Sequence, residues 1–368
     1  MSYFPKFYWY VIKVILLLYF GLYPAFSKSQ GNRGSLSLSR QFSLHLFSAF
    51  RNKINGKVVG EELIYNISSA NRPIAIVFNY KNLSHLKTNT PAIFEDFGRA
   101  YALLGALNFP ILKTNRLRFN FSPGIGLGYI SETWFTNGNP VIGSHLNFIT
   151  TATLKATATL GVNSRLLAGL DIIHYSNAGI RMPNNGLNIS SLSFGVVKYF
   201  KIKQRKDPIG SPDFFGTFKR YGLELGLNVG KRGVYHNKNS LYKSGIYIGY
   251  NFKSKAIVNL SIGLDAVYYY TIFDPRKREQ TYQFNATSYN RWRIGIGIGP
   301  VVWIGKLALV AKYGYYLYFN SEKPILTYWT GGIKYALLNW AAIEGKIYVH
   351  RFEVDCLGLG VVFNTRLF

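Results

Sequence analysis

His174 and Ser176 stand two residues apart in the run Asp171-Ile172-Ile173-His174-Tyr175-Ser176-Asn177-Ala178-Gly179, at the end of an alternation that reads as a β-strand. In a strand, residues i and i+2 share a face with Cα atoms about 6.5–7 Å apart, so an imidazole nitrogen and a seryl oxygen come within reach of each other. Such a pair is a nucleophile with its general base. The break at Asn177-Ala178-Gly179 offers a side-chain amide and a free backbone N–H to a developing oxyanion. Counting back along the same face gives Ile172, Leu170, Ala168 and Leu166, an apolar row, while Tyr175, Ile173, Asp171 and Gly169 fall on the other face. The next strand has Leu192, Phe194 and Val196 on its apolar face, so Asn188 and Ser190 lie on that face too, and the hairpin returns Asn188 to the level of the pair. A His-x-Ser alone is a common accident. Polar groups on a stripe that would meet lipid are costly without a purpose.

The elements that must carry these residues are β-strands. Hydrophobic residues make up 48% of the 368-residue chain, charged ones 16%, aromatics 17%, and glycines number 36. No apolar run of about 18 residues follows the N-terminus, which argues against membrane-spanning helices. Alternating strands rich in aromatics and glycine suit an all-β fold, a transmembrane antiparallel β-barrel of the bacterial outer membrane, in which every backbone group pairs without water. A soluble β-sandwich is the alternative. Strands are expected near 42–50, 72–80, 82–88, 97–108, 115–130, 145–160, 164–176 and 188–200. A second set is expected near 217–229, 242–253, 256–271, 289–304, 306–319, 327–337, 341–350 and 354–367. That makes about 14–16 strands in one barrel, favoured because closure removes edges; two eight-stranded barrels joined through the basic, Pro-containing stretch 201–216 are the alternative. Tight connections at Gly161-Val162-Asn163, Lys253-Ser254-Lys255 and Gly305 alternate with long ones at 51–71, 131–144, 177–187, 230–241 and 272–288. Long loops face outward in such barrels, which places Ser176 at the outer rim. The terminal Phe368 on an alternating strand resembles an outer-membrane assembly signal.

The first residues read as an export signal: Lys6 and Lys13, an apolar core from Val14 to Tyr23, and a small-x-small Ala25-Phe26-Ser27. The expected organisation is therefore a signal peptide at 1–27, a barrel half at 28–205 carrying the His-x-Ser-Asn run, and further strands at 206–368. The net charge of +27 falls to +25 without the signal. The cations are spread through loops and alternate strand positions, so the anionic partner suggested is a phosphate-rich membrane surface rather than nucleic acid. The single Cys356 excludes an internal disulfide. No cofactor is implied, and His45, His85 and His236 have no partner at metal-ligand spacing.

The run His174-Tyr175-Ser176-Asn177-Ala178-Gly179, followed by Pro183-Asn184 and Gly186-Leu187-Asn188, resembles the motif of outer-membrane lipid A 3-O-deacylases, the PagL-like acyloxyacyl hydrolases. Upstream, Asn139-Pro140-Val141-Ile142-Gly143-Ser144-His145-Leu146-Asn147 resembles a segment of the larger members. The match is best over about 115–200, and the part after 206 resembles the extension of the longer relatives. The resemblance implies that Ser176 attacks an ester carbonyl while His174 takes its proton, and that Asn177 and the N–H of Gly179 form the oxyanion hole. The implied substrate is the ester-linked acyl chain at the 3-position of lipid A in the outer leaflet, whose phosphates would suit a basic rim.

The sequence departs from the family at one position. The compact enzymes complete a triad with a glutamate where this chain has Asn188. An amide orients an imidazole but cannot neutralise an imidazolium, so three outcomes are open: slow turnover, recruitment of another carboxylate, or lost activity. Glu132 on the long loop of the same rim is the candidate carboxylate, since parity sends Asp171 to the lumen. His145 and Asn147 read as lumenal and structural, and His350, Glu353 and Asp355 as a solvated outer loop. The alternative function is a non-catalytic barrel, a channel or envelope scaffold, that retains the motif.

Overall fold

The computed structural model describes residues 33–47, 54–69, 72–88, 96–201, 221–234, 238–252, 258–272, 290–321, 324–350 and 353–365. The strands in chain order are β1 (Arg33–Phe47), β2 (Ile54–Asn55), β3 (Val59–Ser69), β4 (Arg72–Asn82), β5 (Lys87–Thr88), β6 (Arg99–Leu107), β7 (Phe109–Lys113), β8 (Leu117–Ile130), β9 (Leu146–Gly161), β10 (Ser164–Ser176) and β11 (Leu187–Lys201). They continue as β12 (Gly222–Gly233), β13 (Ser240–Phe252), β14 (Val258–Tyr269), β15 (Trp292–Ile304), β16 (Leu307–Tyr318), β17 (Thr327–Ala336), β18 (Ala341–His350) and β19 (Glu353–Thr365).

Two closed antiparallel barrels result. The first runs β1-β3-β4-β6-β8-β9-β10-β11 and closes by β1 pairing β11. Strand β7 continues β6 along β8 in one register, Ala106 opposite Gly124 and Phe109 opposite Phe121. The second barrel is β12 to β19 in order, closed by β12 against β19 with Leu223 opposite Thr365. The pair β2 and β5 bridges two loops of the first barrel. The sixteen barrel strands therefore form the two-barrel arrangement, not the single larger cylinder.

Period-two patterning explains each wall. In β10, Leu166, Leu170 and Ile172 are 49%, 42% and 45% exposed and point outward, whereas Leu167, Asp171, Ile173 and Tyr175 are buried in the lumen. In β1 the outward row is Leu36, Leu38 and Phe42, and the inward row is Ser35, Ser37, Ser39 and Gln41. An apolar exterior over a polar interior is what a bilayer-spanning barrel requires. Rings mark both ends of the second barrel: Tyr268 meets Tyr270 and Trp292 edge-on near the long loops, and Trp340 stacks on Phe363 at the tight-turn end.

Both lumens hold paired charges. Inside the first, Lys81 donates to Gln41 Oε1 (2.7 Å) and Ser191 Oγ (3.1 Å) and sits 3.7 Å from the Asp171 carboxylate, while Lys155 pairs Glu62 at 2.7 Å. Inside the second, Lys334 pairs Glu224 at 2.8 Å, Lys346 pairs Asp265, and Asp355 accepts from Arg232 (2.6 Å) and Lys243 (2.7 Å). Burying a charge is tolerable only when it is paired. The cavity bordered by Arg232, Lys243, Tyr269 and Asp355 measures about 10 Å³, room for roughly one water. The outer end of the first barrel carries an apolar plug that includes Leu83, Leu86, Phe97, Ile130, Ile142, Ile173 and Tyr175.

The strand reading of the second half matches all eight of its strands. In the first half it missed β3 and the short β2 and β7, began β1 too late and placed a strand at 82–88, where β4 ends at Asn82 and beyond it only Lys87–Thr88 pairs. Strand β3 hides because the exposed Glu61 falls on the outward row of Leu63 and Tyr65 while Ile64 is buried inside, so the segment lacks a clean apolar alternation. The signal segment, most of the join at 201–216 and Phe368 lie outside the described residues.

Candidate active site

The parity expected for the His–Ser pair is observed. Strand β10 presents His174 and Ser176 on the face that carries Ile172 and Leu170, and β11 brings Asn188 directly opposite His174. His174 Nδ1 lies 2.8 Å from Asn188 Oδ1. An amide oxygen only accepts, so Nδ1 carries the proton and Nε2 keeps its lone pair. Gly186 lies over the ring: its φ is +65°, and a Cβ there would come within 2.9 Å of His174 Cε1.

Ser176 is 9% exposed, and its hydroxyl is engaged by Asn184 rather than by His174. Asn184 Nδ2 donates to Ser176 Oγ at 3.0 Å, its Oδ1 lies 3.2 Å from the same oxygen, and that Oδ1 also accepts the Asn177 N–H at 2.9 Å. Past Ser176 the chain reverses through Asn177-Ala178-Gly179-Ile180, with Ile180 N–H donating to Asn177 O at 3.2 Å and positive φ at both Ala178 (55°) and Gly179 (77°). That is the dihedral pattern of a type I′ turn. The Ala178 N–H reaches Ser176 Oγ at 3.3 Å, and the Gly179 N–H donates to Asn177 Oδ1 at 3.0 Å. Asn177 Nδ2 donates to Arg181 O at 2.7 Å. Both groups expected at the oxyanion hole are thus employed within the turn, and the Ala178 N–H is the donor that points at the seryl oxygen.

The long loop between β8 and β9 props this turn. Asn139 is fully buried, and its Oδ1 accepts from the N–H groups of Val141 (2.9 Å) and Ile142 (3.4 Å). Ile142 forms a β-bridge with Asn184, and Asn185 donates to Val141 O (3.0 Å) and Pro140 O (2.8 Å). A Cβ at Gly143 would come within 2.9 Å of the carbonyl oxygens of Pro183 and Arg181. The upstream motif therefore buttresses Asn184, whose role the sequence reading did not assign; its signal was the Pro-Asn-Asn-Gly loop itself.

Glu132 is not brought to the pair. Its carboxylate accepts from Thr136 Oγ1 at 3.0 Å, beside the helical turn Trp134–Asn137. Asp171 faces the lumen, as parity requires. His145 binds Ile130 O through Nδ1 (2.8 Å) and stacks on Tyr129, and Asn147 is buried. His350 and Asp355 are buried in the second lumen rather than solvated, with His350 Nε2 2.6 Å from Tyr316 Oη. Among the described residues no three His, Cys, Asp or Glu side chains gather to hold a metal.

The His174–Asn188 pair thus lies on the outer wall of a membrane-type β-barrel, with Ser176 held beside it by Asn184. Residues 81–197 match the family model of lipid A 3-O-deacylase (PagL), and residues 219–367 match that of the acyloxyacyl hydrolase C-terminal domain, one model to each barrel. The chain belongs to the PagL-like family, in the form that carries this second domain. Among solved structures it is similar to the outer membrane enzyme PagL, with 17% identity over 44% of this chain and 97% of that one and a TM-score of 0.23. It is also similar to Omp33 of Acinetobacter baumannii (11% identity, 91% and 100% covered, TM-score 0.17) and to the Pseudomonas putida toluene transporter TodX (10% identity, 93% and 92% covered, TM-score 0.18). No curated protein matches the chain in sequence.

Proposed function

We propose that this chain is an outer-membrane serine esterase that removes the ester-linked acyl chain at the 3-position of lipid A. The observation that carries this reading is the His174–Asn188 hydrogen bond on the lipid-facing wall, which leaves Nε2 basic on the face that Ser176 shares. Ser176 turns from Asn184 toward His174 and gives up its proton as Oγ attacks the ester carbonyl. The new C–O bond forms a tetrahedral oxyanion, which the Ala178 N–H, the turn donor that reaches Ser176 Oγ, is placed to meet. His174 then returns the proton to the departing sugar hydroxyl, and water repeats the cycle on the acyl-enzyme. Lipopolysaccharide presented sideways from the outer leaflet is the substrate, and residues 1–27 export the chain to that membrane. No resident cofactor enters the reaction.

The test is lipid A mass spectrometry after expression in a Gram-negative host whose lipid A keeps its 3-linked acyl chain. Loss of that one chain, abolished by Ser176→Ala and by His174→Ala, is the expected result. Unchanged lipid A in that host sinks the reading. A non-catalytic envelope scaffold is the second reading, favoured by the Ser176–Asn184 bond and by the amide where a triad carboxylate would sit.

A further inference from the structure

The second barrel touches the first at the catalytic turn. Gly233, the last residue of β12, donates its N–H to Gly179 O at 2.7 Å. Two residues on, Arg181 reaches across and donates through Nη1 to Lys238 O, in the connection between β12 and β13. From the opposite side β19 closes in, and a Cβ on Gly179 would meet Val354 O at 3.1 Å. The fit is tight in both directions: a Cβ on Gly233 would lie 2.8 Å from both Arg181 Cα and Met182 N. Those are backbone atoms that cannot swing aside. Gly233 itself does not adopt a positive φ, so its lack of a side chain answers to proximity rather than to dihedral need.

The strand ends that make this contact are fixed from within. Arg232, next to Gly233, pairs Asp355 at 2.6 Å, and Asp355 follows Val354. Lys243 on β13 holds the other Asp355 oxygen at 2.7 Å. One buried carboxylate thus ties β12, β13 and β19 together directly beneath the residues that grip Gly179.

We infer that the second barrel is a positioning element for catalysis, with Gly233 as its positioning residue: it clamps the Asn177–Ile180 turn so that the Ala178 N–H stays aligned with the Ser176 oxygen. The inference rests on the hydrolase reading. Misplacing a reacting group by about 1 Å from a distant change can cost about a hundred-fold in rate. The substitution Gly233→Val pushes directly on Arg181 and Met182, and Gly233→Ala does so with one methyl.

The experiment uses the full-length protein in detergent–lipid A mixed micelles, with heat-modifiable gel migration to verify that both barrels are folded. Gly233→Val is expected to lower kcat by about ten-fold or more with KM changed less than about two-fold, and Gly233→Ala to fall between it and the parent. Folded variants with the parent's kcat overturn the positioning role. A second measurement does not depend on turnover: Arg181→Cys with Lys238→Cys is treated with a short bis-maleimide, to which the buried Cys356 is not accessible. Cross-linking in intact outer membranes supports the contact, and its absence overturns the inference. Cross-linking without deacylation by the parent chain instead overturns the hydrolase reading and leaves the clamp standing as a contact.

Discussion

At the level of single residues, the proposed hydrolysis would depend on the amide that holds His174. Asn188 Oδ1 fixes the tautomer at 2.8 Å but brings no charge to stabilise an imidazolium. In a serine protease triad the corresponding Asp→Asn change costs about four orders of magnitude. Asn188→Asp keeps the side-chain length and restores the charge, so kcat for fatty-acid release is expected to rise about ten-fold or more. A flat result would mean that another group already neutralises the imidazolium, and Glu132, held by Thr136, is not placed to do so. Gly186→Ala tests the other side of the ring. Its methyl would meet Cε1 at 2.9 Å from a left-handed backbone, so activity should drop about ten-fold and stability by about 1 kcal/mol, read from release rates and urea midpoints.

At the level of elements, the turn after β10 is only as well placed as the loop behind it. Asn139 lies outside the reacting groups yet caps the segment whose Ile142 bridges Asn184. Asn139→Ala is expected to cost about 1–3 kcal/mol of local stability and to lower kcat more than it raises KM, measured by initial rates across lipid A concentrations. The same elements show what the sequence could and could not disclose. Wherever outward residues are apolar and inward ones small or polar, as in β10, the strand and its lipid face were readable, and with them the common face of His174, Ser176 and Asn188. Where a charge stands on the outward row and an apolar residue on the inward one, as Glu61 and Ile64 do in β3, the strand was invisible. The number of barrel strands came out right only because the missed β3 was offset by the strand placed at 82–88. How the strands close was not legible: β1 pairs β11 across the length of a whole barrel, and no local pattern encodes that choice. Asn184's hold on Ser176 was equally hidden, because it depends on a bridge between two loops distant in sequence.

At the level of the whole molecule, each barrel carries its own internal charge network, and the second is centred on Asp355. Removing one partner of a buried pair typically costs about 3–5 kcal/mol, because the remaining charges stay buried. Asp355→Ala is therefore expected to lower the unfolding free energy of the second barrel by an amount of that order, read from urea titration in vesicles. Glu62→Ala should act on the first barrel, where it strands Lys155. An unchanged second-barrel midpoint in Asp355→Ala would show that Arg232 and Lys243 reach water in the native state.

The paired side chains that occupy both interiors also bear on the cell that makes this protein. An outer-membrane barrel is a hazard to its host if every copy is a leak. Among the described residues each cylinder is crossed by its own paired side chains, so small hydrophilic solutes are expected to find no passage through it. Periplasmic hydrolysis of a chromogenic cephalosporin by intact cells should accordingly proceed no faster with the protein present than without it.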